Sequence, residues 1–343
     1  MDPRGERFRV ALFFSSNCKY WPLPRGHVYS PLLRPPPSMW FKNLVVYRLP
    51  ADWSISAAEL EEKLAQRSLQ PCGSFDMQSR GWARVGPTER FVHTTNAQHL
   101  IALGVEEKLL PGSIIRQVTA ERAKEIEHEQ GFPVGRRQMR ELKERVTEEL
   151  RGRALTRKRA TRAWIDPING WLVIDTAGAA RAEELVETLR DTLGSLAVQF
   201  IETDRSPPAS MAAWLMLGDA PQRFTIDQDL ELQAADKTKP TIRYVRHPLD
   251  GKEIRTHIGA GMYVTRLGLT WNDRISFVLT EKLQIKRVEF LAIGKDKADD
   301  EAQMGAEEQF DIDFTLMAGE LARLLSDLSE VLGAQAPAQA AAA

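Results

Sequence analysis

The sequence predicts a mixed α/β (α+β) fold, because strand-like and helix-like stretches alternate along most of the chain. Near the start, a strand containing Leu44-Val45-Val46-Tyr47 precedes a helix capped by Ser54 or Ser56, with Glu59 at the capping-box spacing from Ser56. Further on, Asn169-Gly170 separates two apolar strands, which is a strong hairpin signal. Together these observations indicate a sheet with helices packed on it.

The elements follow one another on both sides of a boundary expected at Ser206-Pro207-Pro208. Before it we expect strands at 41–49, 81–85, 90–94, 100–103, 164–167, 170–175 and 198–202, and helices at 54–67, 114–129, 138–150 and 179–193. After it we expect helices at 209–217, 251–259 and 313–333, and strands at 222–232, 241–246, 262–270, 274–280 and 284–293. The last helix carries apolar residues three and four apart, which favours packing on its own core over a partner-facing seam.

The chain divides into four regions on this pattern. Residues 1–38 contain Pro35-Pro36-Pro37 and show no periodicity, so we expect an unstructured Pro-rich extension and a natural start at Met39. The others are an N-terminal α/β region at 39–205 with a helical basic projection at about 112–160, a C-terminal α/β region at 206–334, and a low-complexity tail at 335–343.

Overall composition is that of an ordinary globular protein. The 343 residues are 43% hydrophobic and carry a net charge of −1. Cys18 and Cys72 cannot build a disulfide framework, and no run approaches the ~18 apolar residues of a membrane span. These features predict a soluble protein of the cytoplasm with no membrane partner.

The near-neutral net charge hides two opposed blocks. Residues 136–162 contain eleven Lys or Arg against four Glu, a charge of +7, whereas 296–330 contain eleven acids against two bases. Within 151–162 there are six basic residues and no acid, so helical i,i+4 pairs cannot neutralise this part. It is either a solvated surface or a phosphate-binding surface, and its lack of aromatic residues favours duplex over single-stranded nucleic acid.

Catalytic patterns are weak. None of the six histidines lies at zinc-site spacing, and no nucleotide-binding loop or catalytic triad is present, so we predict no catalytic residue, metal or cofactor. Glu106-Glu107-Lys108, with Asp76 upstream, faintly resembles a metal-dependent nuclease. The alternative is a charged turn between a strand and a helix.

Several longer motifs are specific to one family and occur in collinear order over 39–334. They are Met39-Trp40-Phe41-Lys42-Asn43-Leu44-Val45-Val46-Tyr47-Arg48-Leu49, Pro71-Cys72-Gly73-Ser74, Glu106-Glu107-Lys108-Leu109-Leu110-Pro111, Trp164-Ile165-Asp166 with Asn169-Gly170, Leu193-Gly194-Ser195-Leu196, and Phe314-Thr315-Leu316-Met317-Ala318-Gly319-Glu320-Leu321. In these motifs the chain resembles the RdgC family of bacterial recombination-associated proteins.

This resemblance implies elongated multi-domain subunits that form a closed homodimeric ring around duplex DNA, without marked sequence preference. It also implies a nucleoid-associated protein that restrains RecA-promoted strand exchange by occupying the DNA, with no catalytic site. The implied partners are therefore duplex DNA, a second copy of the chain and, as a functional antagonist, RecA. A metal-dependent nuclease and an inhibitor that binds RecA directly are the alternatives.

The candidate site residues come from the basic block and from the resemblance. The predicted DNA contacts are Arg136, Arg137, Arg153, Arg157, Lys158, Arg159 and Arg162. Leu155 aligns with an apolar finger residue, often aromatic in the family, at one dimer contact. Arg246 and His247 align with a polar gate, where the family pattern is Lys-Gln, at the second contact.

Overall fold

A computed structural model describes residues 39–291 and 305–334; the extension and tail predicted at the two ends lie outside the described residues. The described chain is mixed α/β, as predicted. Its helices are α1 (Ala57–Gln66), α2 (Gly112–Gln130), α3 (Arg136–Arg153), α4 (Ala179–Leu193), α5 (Pro207–Leu217), α6 (Lys252–Gly259) and α7 (Ala306–Val331). Its strands are β1 (Leu44–Arg48), β2 (Gln78–Ala83), β3 (His93–Thr95), β4 (Gln98–Lys108), β5 (Thr156–Asp166), β6 (Trp171–Asp175), β7 (Gln199–Phe200), β8 (Phe224–Gln233), β9 (Thr241–Tyr244), β10 (Tyr263–Trp271), β11 (Ile275–Thr280) and β12 (Ile285–Phe290).

All twelve of these strands belong to one sheet with antiparallel pairing. The order is β2-β4-β5-β6-β1-β12-β11-β10-β8-β9, while β3 pairs with β4 and β7 with β1. The first strand lies near the middle, because Leu44 pairs with Asp175 of β6 on one side and with Ile285 of β12 on the other. The sheet therefore continues through strands from both sides of the boundary expected at Ser206.

Alternation along β1 feeds two hydrophobic cores. Val45 and Tyr47 face one side, where α1 and α4 pack on β1, β4, β5 and β6. Leu44 and Val46 face the other side, in a core that includes α5, α6 and α7 and extends across β8, β10, β11 and β12. The result is a sheet covered by helices on both faces over its first half.

The long helix α7 starts earlier than the predicted residue 313. Its residues Met317, Leu321 and Leu324 are fully buried in the core that contains Leu44 and Val46. The backbone N–H of Phe41 also points to Met317 Sδ at 3.3 Å. The interpretation of this apolar stripe as a core-packing face is confirmed.

Helices α2 and α3 form a hairpin with a small core of its own, made by Ala123, Leu142 and Val146. Gly131 ends α2 in the left-handed region at φ 76°, a conformation that glycine adopts at little cost. The predicted helical projection to about residue 160 needs one correction: α3 ends at Arg153, and the chain from Thr156 onward is strand β5. The reason is long-range, since β5 pairs along its length with β4.

None of the helices in the described residues is both long and apolar enough to cross a membrane.

Candidate nucleic-acid interface

The register between β4 and β5 positions the core of the predicted DNA-binding set. Arg157 lies opposite Glu107, and Lys158 lies opposite Glu106. Because side chains alternate along a strand, Arg157 and Arg159 point to the face that α4 covers, and Lys158 and Arg162 to the face that α7 covers. The acid-free run therefore presents its charges on two faces rather than as one continuous stripe.

Arg157 forms the closest of the cross-strand ion pairs. Its Nε donates a hydrogen bond to Glu107 Oε1 at 2.9 Å. That hydrogen bond, opposed by partial burial and assisted by the positive charges of Arg157, Arg159 and Arg181, lowers the pKa of Glu107. The guanidinium is exposed nonetheless, so its outer N–H groups remain available to an anion.

Lys158 extends from the opposite face of β5. Its Nζ lies 3.9 Å from Glu106 Oε2, a loose pair that leaves the ammonium group exposed. Glu106 is buried and also accepts a hydrogen bond from the backbone N–H of Cys72 at 3.3 Å. Its pKa is lowered first by a hydrogen bond from Thr156, against the effect of burial, and further by Cys72 and Lys158.

Arg159 and Arg162 are anchored more firmly. Arg159 Nη2 donates to Glu184 Oε2 of α4 at 2.8 Å, and Arg162 Nη2 donates to Asp175 Oδ2 of β6 at 3.0 Å. The guanidinium of Arg162 also lies 5.4 Å from the centroid of the Phe41 ring. Both side chains are largely shielded from solvent, so they tie β5 to its neighbours.

The three remaining predicted contacts belong to α3. Arg137 Nε donates to Glu141 at 2.9 Å, and Arg153 Nη1 lies 4.0 Å from Glu149. Arg136 has no carboxylate partner within 4 Å among the described residues. Since a helix rises ~1.5 Å per residue, Arg136 and Arg153 lie about 25 Å apart. The structure thus distributes the seven predicted residues over a helix and two faces of a strand.

Sequence reasoning missed the acidic partners, which come from β4, β6 and α4. It also missed Arg80, Arg181 and Arg190, which line an open cleft of about 790 Å³ together with Arg159 and Phe200. No linear pattern groups these residues, because Arg181 and Arg190 are half a turn out of phase on a helix with 3.6 residues per turn. The approach of β2 to α4 is a tertiary feature.

Leu155, the predicted finger residue, is 77% exposed between α3 and β5. Its carbonyl accepts a hydrogen bond from the N–H of Leu109 at 2.7 Å, and the neighbouring Lys108 N–H donates to the carbonyl of Met77. Arg151 Nη1 donates a hydrogen bond to the carbonyl of Phe75 at 3.2 Å, and the side chain of Phe75 is 86% exposed. We call the four exposed apolar side chains around this point the tip patch: Phe75, Met77, Leu109 and Leu155.

The predicted gate residues follow β9 at the opposite edge of the sheet. Arg246 has φ 52°, and its N–H donates to Asp229 Oδ1 at 3.2 Å. The N–H of His247 donates to the carbonyl of Gln228 at 3.1 Å, and its ring lies 5.5 Å from that of Tyr244. Backbone anchoring of this kind holds both side chains outward at the sheet edge, where both are exposed.

The faint nuclease motif lies within strand β4, so the alternative of a charged turn is wrong. Glu106 and Lys108 share one face and Glu107 points to the other. Lys108 Nζ donates a hydrogen bond to the carbonyl of Ser74 at 2.7 Å, so this ammonium group stabilises the neighbouring backbone. Within 39–291 and 305–334, no three His, Cys, Asp or Glu side chains are grouped as metal ligands.

Comparison with known proteins decides the family. A family model described as "Putative exonuclease, RdgC" matches residues 39–335, which is most of the chain. The chain belongs to the RdgC family. Its similarity to proteins named "Recombination-associated protein RdgC" extends over nearly their whole length.

Three such relatives illustrate the similarity. The protein of Cupriavidus pinatubonensis is 50% identical over 297 residues, covering 87% of this chain and 99% of the relative. That of Janthinobacterium sp. is 48% identical with the same coverage, and that of Burkholderia ambifaria is 49% identical over 86% of this chain and 96% of its own length. The predicted resemblance to the RdgC family is confirmed.

The family description contains the word exonuclease, so nuclease activity is the first property to test. The carboxylates of Glu106 and Glu107 point to opposite faces of β4, and the ammonium group of Lys108 donates its hydrogen bond to the carbonyl of Ser74. We therefore expect no cleavage of end-labelled duplex or single-stranded DNA with Mg²⁺ or Mn²⁺, measured on denaturing gels. A parallel reaction with chelator is the control. Metal-dependent cleavage that disappears in Glu106→Gln would show that the protein itself is a nuclease.

Proposed function

We propose that the protein binds duplex DNA without sequence preference as a homodimeric ring and thereby restrains RecA-promoted recombination. Membership of the RdgC family over residues 39–335 carries the proposal. We further propose that it acts at the nucleoid in the cytoplasm, with duplex DNA and a second copy of the chain as its partners. Two features of the structure support this assignment.

The first feature is the density of exposed cationic groups around β5 and α3. Arg153, Arg157 and Lys158 project into solvent although each has an acidic neighbour. An exposed arginine or lysine can exchange its counterion or carboxylate for a phosphate, and release of counterions from DNA then drives binding. Such contacts do not read base edges, so the affinity they give is independent of sequence.

Salt dependence tests the electrostatic contribution. We expect the logarithm of the duplex-binding constant to fall linearly with the logarithm of salt concentration, with a slope of about −0.9 per neutralised phosphate. Arg157→Gln combined with Lys158→Gln should make this slope shallower by about 2 for every duplex sequence, measured by fluorescence anisotropy.

Glu107→Gln is the informative control, since it frees Arg157 from its carboxylate and should tighten binding. A salt-independent wild-type affinity would contradict the proposed mode of binding. An unchanged slope in the double variant would place the DNA surface away from β5.

The second feature is the position of the two predicted dimer contacts. The tip patch lies beside β2, β4 and β5, whereas Arg246 and His247 lie beside β9, so the contacts are at opposite ends of the strand order. Ten strands spaced ~4.8 Å apart separate these ends by about 43 Å along the sheet. Two copies that each present two separated, self-complementary contacts can close a ring with twofold symmetry.

The finger contact can be tested through Leu155. A carboxylate buried against an apolar partner surface is unfavourable, so Leu155→Asp should raise the dimer dissociation constant by about tenfold or more, measured by sedimentation equilibrium. Ile168→Asp, at an exposed apolar residue of the β5–β6 turn, is the matched control and should leave the dimer intact. A monomeric wild-type protein, or a dimer indifferent to Leu155→Asp, would contradict this contact.

The effect on RecA separates occupancy of DNA from direct contact with RecA. In RecA-promoted strand exchange we expect added duplex DNA to relieve inhibition, because it titrates the protein away from the substrate. Added RecA at constant DNA should have little effect. The opposite pattern, relief by RecA and not by DNA, would favour a direct RecA-binding inhibitor; the readout is the yield of exchanged strands.

A further inference from the structure

The second half of the sheet has one face that no described helix covers. On β10, Leu267, Leu269 and Trp271 point into the core that α5, α6 and α7 share. The alternate residues of the same strand, Arg266 and Thr270 among them, point to the opposite side, where the described residues form no hydrophobic cluster. We call this side of β8, β10, β11 and β12 the open face.

Side chains on the open face show that the sheet curls toward it. Arg287 of β12 donates to Asp229 of β8 at 2.8 Å, although β10 and β11 lie between these strands. In a flat sheet, three strand intervals would separate the two backbones by about 14 Å. Gly268 makes room beneath this contact, because a Cβ there would lie 3.2–3.3 Å from the Cβ atoms of Asp227 and Asp229. The open face is therefore concave.

A buried carboxylate organises the cations at one end of this face. Glu231 is only 9% exposed and accepts hydrogen bonds from Thr265 Oγ1 at 2.8 Å and Arg243 Nε at 2.6 Å. Arg266 Nε lies 3.7 Å from Glu231 Oε1. Burial alone would raise the pKa of Glu231, but the hydrogen bonds and the two arginine charges outweigh it and lower the pKa. The ionised carboxylate fixes both guanidinium groups while their outer edges stay in solvent.

Two lysines, Lys282 and Lys286, add further positive charge beside Arg266. Lys286 on β12 lies close enough to Arg266 and Lys282 for their charges to lower its pKa, in addition to the larger effect of burial. Among the described residues, neither lysine has a carboxylate within 4 Å. Arg243 and Arg266 therefore share the carboxylate of Glu231, whereas Lys282 and Lys286 lie on the side of Arg266 without an ion-pair partner among the described residues. An anion that bound beside Arg266 would relieve the mutual repulsion of these cations.

We propose that Arg243, Arg266, Lys282 and Lys286 bind phosphate groups of the nucleic-acid backbone, a surface distinct from the basic run on β5. The inference rests on the proposed function for the identity of the polyanion. For the location it rests on the concave shape of the open face and on the unpaired cations at the end of that face beside Arg266. The strand that carries Arg243 also leads to the gate residue Arg246, so the cluster adjoins the proposed ring contact. The cluster is invisible in the linear charge pattern, because its members are spread over more than 40 residues and come from three strands and a turn.

The test compares two variants with the same change in charge. Lys282→Gln/Lys286→Gln removes the two lysines that have no acidic partner, so the fold should be unaffected, as thermal unfolding can verify. Lys252→Gln/Arg255→Gln is the matched control on α6, whose Ile254 packs on the other face of the sheet. We expect the lysine variant to weaken duplex binding about tenfold per lost contact and to make the salt slope shallower by about 2, whereas the control binds like wild type.

The outcomes separate this inference from the proposed function. If wild-type protein binds duplex DNA and both variants respond equally, the proposed cluster is wrong and the proposed function stands. If wild-type protein does not bind duplex DNA, the proposed function fails. Calorimetry with inorganic tripolyphosphate then tests the cluster alone: binding that is lost in Lys282→Gln/Lys286→Gln supports a phosphate site, and no binding overturns it.

Discussion

The pairing of β1 with both β6 and β12 is the constraint on which the rest of the structure depends. This five-residue strand is buried on both faces and joins the strands β2 to β6 to the strands β8 to β12 in one sheet. Its alternating side chains enter the two cores, so it also aligns α1 and α4 on one side with α7 on the other. The tip patch and the predicted gate residues lie on opposite sides of β1 in the strand order, so the distance between them depends on how β1 joins the two halves of the sheet.

Strand register also determines which basic residues of β5 form ion pairs and which remain exposed. The basic run on β5 has no acid within it, yet β4, β6 and α4 bring carboxylates to four of its cations. Arg159 and Arg162 are consequently tied to α4 and β6, while Arg157 and Lys158 combine an acidic neighbour with exposure. Because surface ion pairs contribute little to stability, typically ~0–1 kcal/mol, the exposed pairs can rearrange around a phosphate at small cost.

The sequence was most informative where structure is set by neighbouring residues. Ser56 caps α1 by accepting a hydrogen bond from the Glu59 N–H at 3.2 Å, and Gly194 ends α4 with φ 86°, as the local patterns predicted. The Asn169-Gly170 turn is stabilised by Asp166, which accepts hydrogen bonds from two backbone N–H groups and from the Asn169 side chain.

The errors occurred where distant segments decide the outcome. Thr156 starts a strand because β4 lies beside it, and Glu106 lies within β4 because β5 and β2 flank it. The seven DNA-binding candidates remain predictions, and the linear charge by which they were selected cannot distinguish an arginine anchored to Glu184 from one that projects into solvent. For the same reason the cations around Glu231 were not found: their proximity depends on the register of β8, β9 and β10 and on the curl of the sheet.

The central position of β1 has a consequence for synthesis on the ribosome. About 240 residues separate β1 from β12, so until β12 has been made one edge of β1 can pair only with the two-residue strand β7. The core beneath it also waits for α7, which follows still later in the chain. Such non-local pairing slows folding and exposes an unpaired strand edge in the meantime. A nascent chain is therefore expected to need protection by chaperones until translation has passed α7.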